Sequence, residues 1–316
     1  MSTTVDGTCS RDNCFAPDTA CIDGVVGNYA ACEYFNAPAD AANTSEHETA
    51  PAALPWSGLA LGAADLAAVA ALGQARVVGL VGLSGAGKTT TLAAAQLARR
   101  RGEGGIGAFA GSYTLFGWHR ITRHLEWAPW GEGAFPPHTV LSDSRTPALL
   151  HMALRAERIH HLLYSDVPGE WFKSWAYDAE AVPGASWLVD HADAFLLFAD
   201  SEVLGGVQRG EARAYYTALA QRLHSVCAGR PVIPVRSKAD LEVPQQISET
   251  IERINAELFG AETLLVSAHQ DHGRSLIEAV DRASAAALRE ARPRALVSPR
   301  SGRDMLLAYR DPAFVA

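Results

Sequence analysis

The chain has no long hydrophobic run. Its most apolar helical stretch, around residues 57–72, is alanine-rich, is interrupted by Asp65, and falls short of the roughly 20 apolar residues a helix needs to cross a bilayer. No charged segment leads into an apolar one at the N-terminus, so no secretory signal is expected. Together these absences predict a cytoplasmic protein with no transmembrane segment. Positive charge is also in deficit: 27 Lys and Arg stand against 35 Asp and Glu, a formal net charge of −8 with a pI near 5.8. That balance cannot supply a broad basic face, so no direct nucleic-acid partner is expected. No internal repeat is evident. What remains is 316 residues that are 48% hydrophobic and 20% charged, enough for a full core in one large or two modest domains.

Composition divides the chain. Residues 1–35 hold four of the five cysteines and little periodic pattern, and residues 36–55 are rich in Ala, Pro and small polar residues and read as a linker. From 56 to 290 apolar runs alternate with helical periodicity, and a polar, Arg-containing tail fills 291–316. Strands are predicted at 76–81, 106–111, 148–155, 159–165, 194–199, 232–236 and 263–267. Helices are predicted at 88–101, 115–126, 172–190, 207–226, 245–258 and 273–290. Such alternation implies an α/β fold whose mostly parallel sheet is covered on both faces. The strands at 148–155 and 159–165 are joined by only a few residues and must be antiparallel. The triplet Arg99-Arg100-Arg101 is expected to favour the C-terminal end of the first of these helices.

The richest segment is RVVGLVGLSGAGKTTTL at 76–92, an apolar strand entering Gly82-x4-Gly87-Lys88-Thr89 and then a helical pattern. This is a P-loop. Backbone N–H groups across Gly82, Ser84, Gly85, Ala86 and Gly87, continuing into Thr89 and Thr90, turn inward around a β-phosphate. Lys88 reaches the β- and γ-phosphates, and the Thr89 hydroxyl is placed for Mg2+. The strand HHLLYSD then ends in Asp166-Val167-Pro168-Gly169. A carboxylate closing a buried strand organises Mg2+, and a glycine three residues on lets a backbone N–H approach a terminal phosphate. Arg236-Ser237-Lys238-Ala239-Asp240 follows strand VIPV. There the Asp240 carboxylate can accept from guanine N1–H and N2–H2 while the Lys238 stem packs over the base. About 25 residues on, Ser267-Ala268 offers a backbone amide for guanine O6.

With these pieces in this order, the chain resembles the P-loop GTPases of the translation-factor and Ras-like class over about residues 74–290. The resemblance implies a three-layer αβα sandwich with one antiparallel strand, GTP or GDP and Mg2+ as cofactors, and hydrolysis of GTP to GDP and phosphate. That class has Asn or Thr where this chain has Ser237, so the guanine loop is a variant. The segments FAGSYTLFGW and DVPGEWF, with the Cys-rich leader, look like the double-GTPase proteins of bacterial multi-gene conflict or defence systems, which implies an effector or regulator protein as partner. An ATPase with the same loop and a nucleotide-gated interaction module with negligible turnover are the alternatives.

The interval from about 102 to 147 should carry a Thr that meets Mg2+ only beside a γ-phosphate. Thr146 is the first choice, with Thr139 and Thr114 behind it. Arg145 stands close to where G-protein α subunits place an internal arginine finger, the alternative being an exposed loop residue. Glu170 occupies the place of a water-orienting Gln and would act on hydrolysis more than on affinity. Trp171 and Phe172 read as core residues, with an effector-facing patch as the alternative. In the leader, Cys9-x4-Cys14-x6-Cys21-x10-Cys32 leaves three states open: a Zn2+ site, reduced thiols or disulfides. Cys227 reads as core, and His160 and His161, adjacent on a strand, face opposite sides.

Overall fold

The computed structural model describes residues 8–10, 14, 21, 32–36, 58–71, 73–126, 148–178, 180, 182–270 and 273–289. The chain forms two compact units, Met1–Ala53 and Leu54–Ala316. In the first, strands β1 (Thr8–Cys9) and β2 (Phe35–Asn36) pair antiparallel. Cys14 and Cys21 are buried together with Cys9 packed against them, and none of the five cysteines is in a disulfide. Among the described residues, which include Cys9, Cys14, Cys21 and Cys32, no three His, Cys, Asp or Glu side chains gather closely enough to hold a metal. The zinc expectation therefore gains no support: Cys14 and Cys21 are buried against each other with the partly exposed Cys9 beside them, and Cys32 is partly exposed.

Among its described residues, the second unit is built on seven strands. They are β3 (Ala75–Val81), β4 (Ala108–Gly111), β5 (Leu149–Arg155), β6 (Ile159–Ser165), β7 (Ala194–Asp200), β8 (Val232–Ser237) and β9 (Leu264–Leu265). Their order across the sheet is β4-β5-β6-β3-β7-β8-β9. Only β5 runs against its neighbours, β4 and β6; every other pairing is parallel. The helices are α1 (Leu66–Ala71), α2 (Lys88–Arg100), α3 (Leu115–Glu126), α4 (Gly169–Trp175), α5 (Pro183–His191), α6 (Ser201–Gly205), α7 (Arg209–Cys227), α8 (Gln245–Phe259) and α9 (Arg274–Leu288).

Period-two alternation assigns the two faces. Val77 and Val81 of β3, with Phe195, Leu197 and Ala199 of β7, pack against Phe172, Trp175, Leu188, Tyr216, Leu219 and Ile251 from α4, α5, α7 and α8. Val78 and Leu80, with Leu196 and Phe198, face Leu92, Trp118, Leu276 and Val280 from α2, α3 and α9. The result is the expected αβα sandwich, its central strands apolar throughout because both sides are covered.

Two local expectations change. The helix predicted over 172–190 is broken into α4 and α5. Pro183 opens α5 at its first turn, and Val182 before it sits at φ −134°, ψ 81°, because the pyrrolidine ring disfavours helical geometry in the preceding residue. Arg99 does not serve the helix end: its guanidinium is buried and paired with Asp281 of α9, whose other oxygen accepts from Gly105 N–H at 2.7 Å. Arg101 turns outward to Glu103 at 2.8 Å.

Candidate nucleotide-binding site

The phosphate end is a consequence of where β3 stops. The loop leaving it is tied to the sheet, since a Cβ on Gly82 would lie 2.8 Å from the Cβ of Phe198 on β7. Gly87 caps α2 in the left-handed region at φ 80°, which favours glycine and lets the preceding amides face inward. Lys88 is buried, and its Nζ donates to the carbonyls of Gly82 (2.9 Å) and Leu83 (2.8 Å). Burial lowers its pKa from 10.5 to about 8, opposed by the charges of Asp166 and Glu170. Thr89 Oγ1 donates to Asp166 Oδ1 at 2.7 Å. Asp166 lies just beyond β6 and is held by its N–H to Ala148 O at 3.0 Å. Gly169 opens α4 so close to the loop that a Cβ there would sit 2.0 Å from Ser84 N.

A cavity of about 410 Å3 runs from this loop to the ends of β8 and β9. Lys238, directly after β8, adopts φ 53°, a left-handed turn that carries the chain back so that Ala239 N–H donates to Val266 O at 3.0 Å. Ser267 Oγ donates to Asp240 Oδ1 at 2.6 Å and accepts from His269 N–H at 3.0 Å. The hydroxyl holds the Asp240 carboxyl below its usual range, so the group is an anionic acceptor at neutral pH. Ser237 is buried and donates weakly to Ala199 O (3.3 Å), tying β8 to β7.

The residues singled out from the sequence fall into groups. Ser84, Gly85, Ala86, Gly87, Lys88, Thr89, Thr90, Gly169, Lys238, Asp240 and Ala268 line the cavity. Gly82, Asp166 and Ser267 stand behind that lining and are bonded or packed to it. Glu170 is exposed on α4, yet near enough for its charge to act on Lys88. Arg145, Thr146 and Thr139 lie outside the described residues. Thr114 is excluded as a metal ligand: it is fully buried, and its Oγ1 accepts from His151 N–H at 2.9 Å. Trp171 and Phe172 are in the core, as is Cys227.

Sequence reasoning missed two acidic neighbours. Lys238 Nζ bridges Asp200 Oδ2 (2.9 Å), at the end of β7, and Glu202 Oε2 (2.6 Å), which lines the cavity. The available signal was the Asp-Ser-Glu run closing the strand beside the guanine loop. A buried His pair was also missed: His151 Nε2 and His161 Nδ1 lie 3.0 Å apart across β5 and β6, and Tyr113 N–H donates to His151 Nδ1 at 3.0 Å. Burial lowers the His151 pKa to about 4, so the pair is neutral structural wiring.

The Double-GTPase 2 family model matches residues 76–288, from the P-loop strand to the end of α9. The chain belongs to the Double-GTPase 2 family. The matched span of this Double-GTPase 2 chain contains every described residue of the cavity wall. Among solved structures, the cytosolic domain of the T. maritima FeoB iron transporter in its GMPPNP form is similar at 14% identity. The match covers 69% of this chain and 66% of that one, just under two thirds of its length, with a TM-score of 0.37. No curated protein matches the sequence.

Proposed function

We propose that the chain is a Mg2+-dependent switch that binds GTP and hydrolyses it to GDP and phosphate, acting with an effector or regulator protein. The observation that carries the guanine assignment is the Asp240 carboxylate, fixed by Ser267 at the end of the cavity opposite Lys88. A carboxylate there accepts two hydrogen bonds from guanine, and adenine has no matching donor pair. Ser237 stands where the translation-factor and Ras-like class has Asn or Thr, and its hydroxyl ties β8 to β7.

Thr89 and Asp166 fit Mg2+: a hydroxyl and a carboxylate oxygen, already adjacent beside the P-loop, are the hard donors this cation takes. When bound, Mg2+ neutralises charge on the β- and γ-phosphate oxygens. Thr146 is the proposed third protein ligand and Arg145 the proposed internal finger. In hydrolysis a water oxygen bonds to the γ-phosphorus as the bond to the β–γ bridging oxygen breaks. Lys88 stabilises the leaving charge, Gly169 N–H binds a γ-phosphate oxygen, and Glu170 orients the water. The resemblance to multi-gene conflict systems supports a partner protein as the listener.

Titration calorimetry of GTP, GDP and ATP into wild type and Asp240→Asn tests the base. GTP and GDP are expected to bind at least about 100-fold tighter than ATP, with the preference lost in the variant. Tighter ATP than GTP binding would overturn the guanine assignment. Glu170→Gln should alter single-turnover GTP hydrolysis while leaving affinity within about twofold; an unchanged rate removes Glu170 from the chemistry. Absence of multiple-turnover phosphate release, with or without partners, would identify a nucleotide-gated interaction module.

A further inference from the structure

Phosphate and base contacts leave a carboxylate of the cavity wall without a role: Glu202, which together with the buried Asp200 holds Lys238. The two carboxylates are not equivalent. Asp200 is buried, its side chain 4% exposed, and both its oxygens are used: Oδ1 accepts from Glu202 N–H (3.0 Å) at the start of α6, and Oδ2 accepts from Lys238 Nζ. That residue alone is enough to fix the Lys238 stem. Glu202 is 66% exposed, lines the cavity, and gives Lys238 a single oxygen, Oε2. The Lys238 ammonium holds the Glu202 carboxyl below its usual range, so it is a charged, acceptor-only group at neutral pH.

The two ends of the cavity are already assigned. Lys88 and the loop amides mark the phosphates, and Asp240 with Ser267 marks the base. A nucleoside triphosphate spans them with its sugar between, and of the two carboxylates in the cavity lining Asp240 is taken by the base, which leaves Glu202, bonded to Lys238. A ribose presents two adjacent hydroxyl donors, and a carboxylate with an unengaged oxygen is their natural acceptor.

Resting on the nucleotide reading above, we propose that Glu202 reads the ribose, accepting hydrogen bonds from its 2′- and 3′-hydroxyls and making the cavity selective for ribonucleotides over deoxyribonucleotides. Asp200 is the positioning residue that keeps Lys238 in place when Glu202 engages the sugar. Were the Glu202–Lys238 contact only a surface ion pair, it would contribute little and would not distinguish sugars.

The test is the ratio of dissociation constants for 2′-dGTP and GTP, measured by calorimetry on the full chain. Wild type is expected to favour GTP by about tenfold, the size of one hydrogen bond to a charged acceptor. Glu202→Ala should bring the ratio near one, chiefly by weakening GTP, and Glu202→Gln should fall between because its amide oxygen still accepts. The side chain is exposed, so both variants should melt with wild type. A ratio equal in wild type and Glu202→Ala overturns the proposal. If ATP rather than GTP proves to be the ligand, the guanine assignment fails by itself. The 2′-dATP to ATP ratio in the same three proteins then reads the ribose contact: a fall in Glu202→Ala supports it, and an unchanged ratio overturns it.

Discussion

Lys88 is the side chain on which burial and charge compete most directly. Its pKa of about 8 leaves it protonated at pH 7 and largely neutral by pH 9, whereas phosphate contact requires the ammonium. Binding above pH 8 must therefore take up a proton. GTP affinity is expected to be flat below about pH 8 and to weaken by up to about tenfold per unit above it. Calorimetry at pH 8.5 in two buffers of different ionisation enthalpy should report that uptake. Lys88→Met should remove the slope and weaken GTP by at least about 100-fold. Lys88, Thr89, Asp166, Lys238 and Asp240 were legible because their order and strand-end positions match what phosphate, Mg2+ and guanine chemistry would use, and the fold brings them to or beside one cavity. Asp200 and Glu202 were not, because Asp-x-Glu after a strand is what an ordinary helix N-cap requires. Asp200 does fill that cap, and only its second oxygen reveals the other task. Thr114 shows the reverse error: residue type made it a ligand candidate, and the fold spends its hydroxyl on His151.

Among the elements, the contact that matters most to nucleotide entry is α4 against the P-loop. Gly169 lies where any side chain would strike the backbone of Leu83 and Ser84. Gly169→Ala should displace the start of α4 from the loop, costing about 1–3 kcal/mol and several degrees of melting temperature. GTP affinity should fall with it, and a variant matching wild type in both would mean that α4 moves freely off the loop. The predicted helix began at 172, three residues after the observed start of α4 at Gly169. The early end of α4 was not legible either: an unbroken apolar period through 172–190 outweighed Pro183, and Val182 shows the proline prevailing. Strand pairing was easiest at the β5–β6 turn, where a connection of a few residues permits only one direction.

For the molecule as a whole, one half-buried ion pair joins α2 and α9 across the chain, at positions 99 and 281. Near it, Tyr164 of β6 and Ser284 of α9 share a hydrogen bond of 2.8 Å. These ties lock the helix that begins at the P-loop to the last helix of the fold. Asp281→Leu alone should destabilise by about 3 kcal/mol, since it leaves the buried Arg99 guanidinium without its counter-charge, and Arg99→Leu should cost less, because Asp281 is partly exposed and keeps the Gly105 N–H. The double variant should recover much of the loss, and a denaturant double-mutant cycle gives the coupling. No local pattern announces such a pair: a basic triplet at a helix end is accounted for by the helix dipole, and its partner is 182 residues away. The layered fold, in contrast, followed from apolar runs alternating with helical periods.

The sheet ends in two very short strands, β4 of four residues and β9 of two. Such blunt edges present few open N–H and C=O groups in register, so another chain has little backbone to pair with. Among the described residues, these edges therefore favour contact through helix and loop side chains over strand addition. Under the reading of a partner-dependent switch, single substitutions on exposed helix faces should separate binding of a protein from binding of nucleotide.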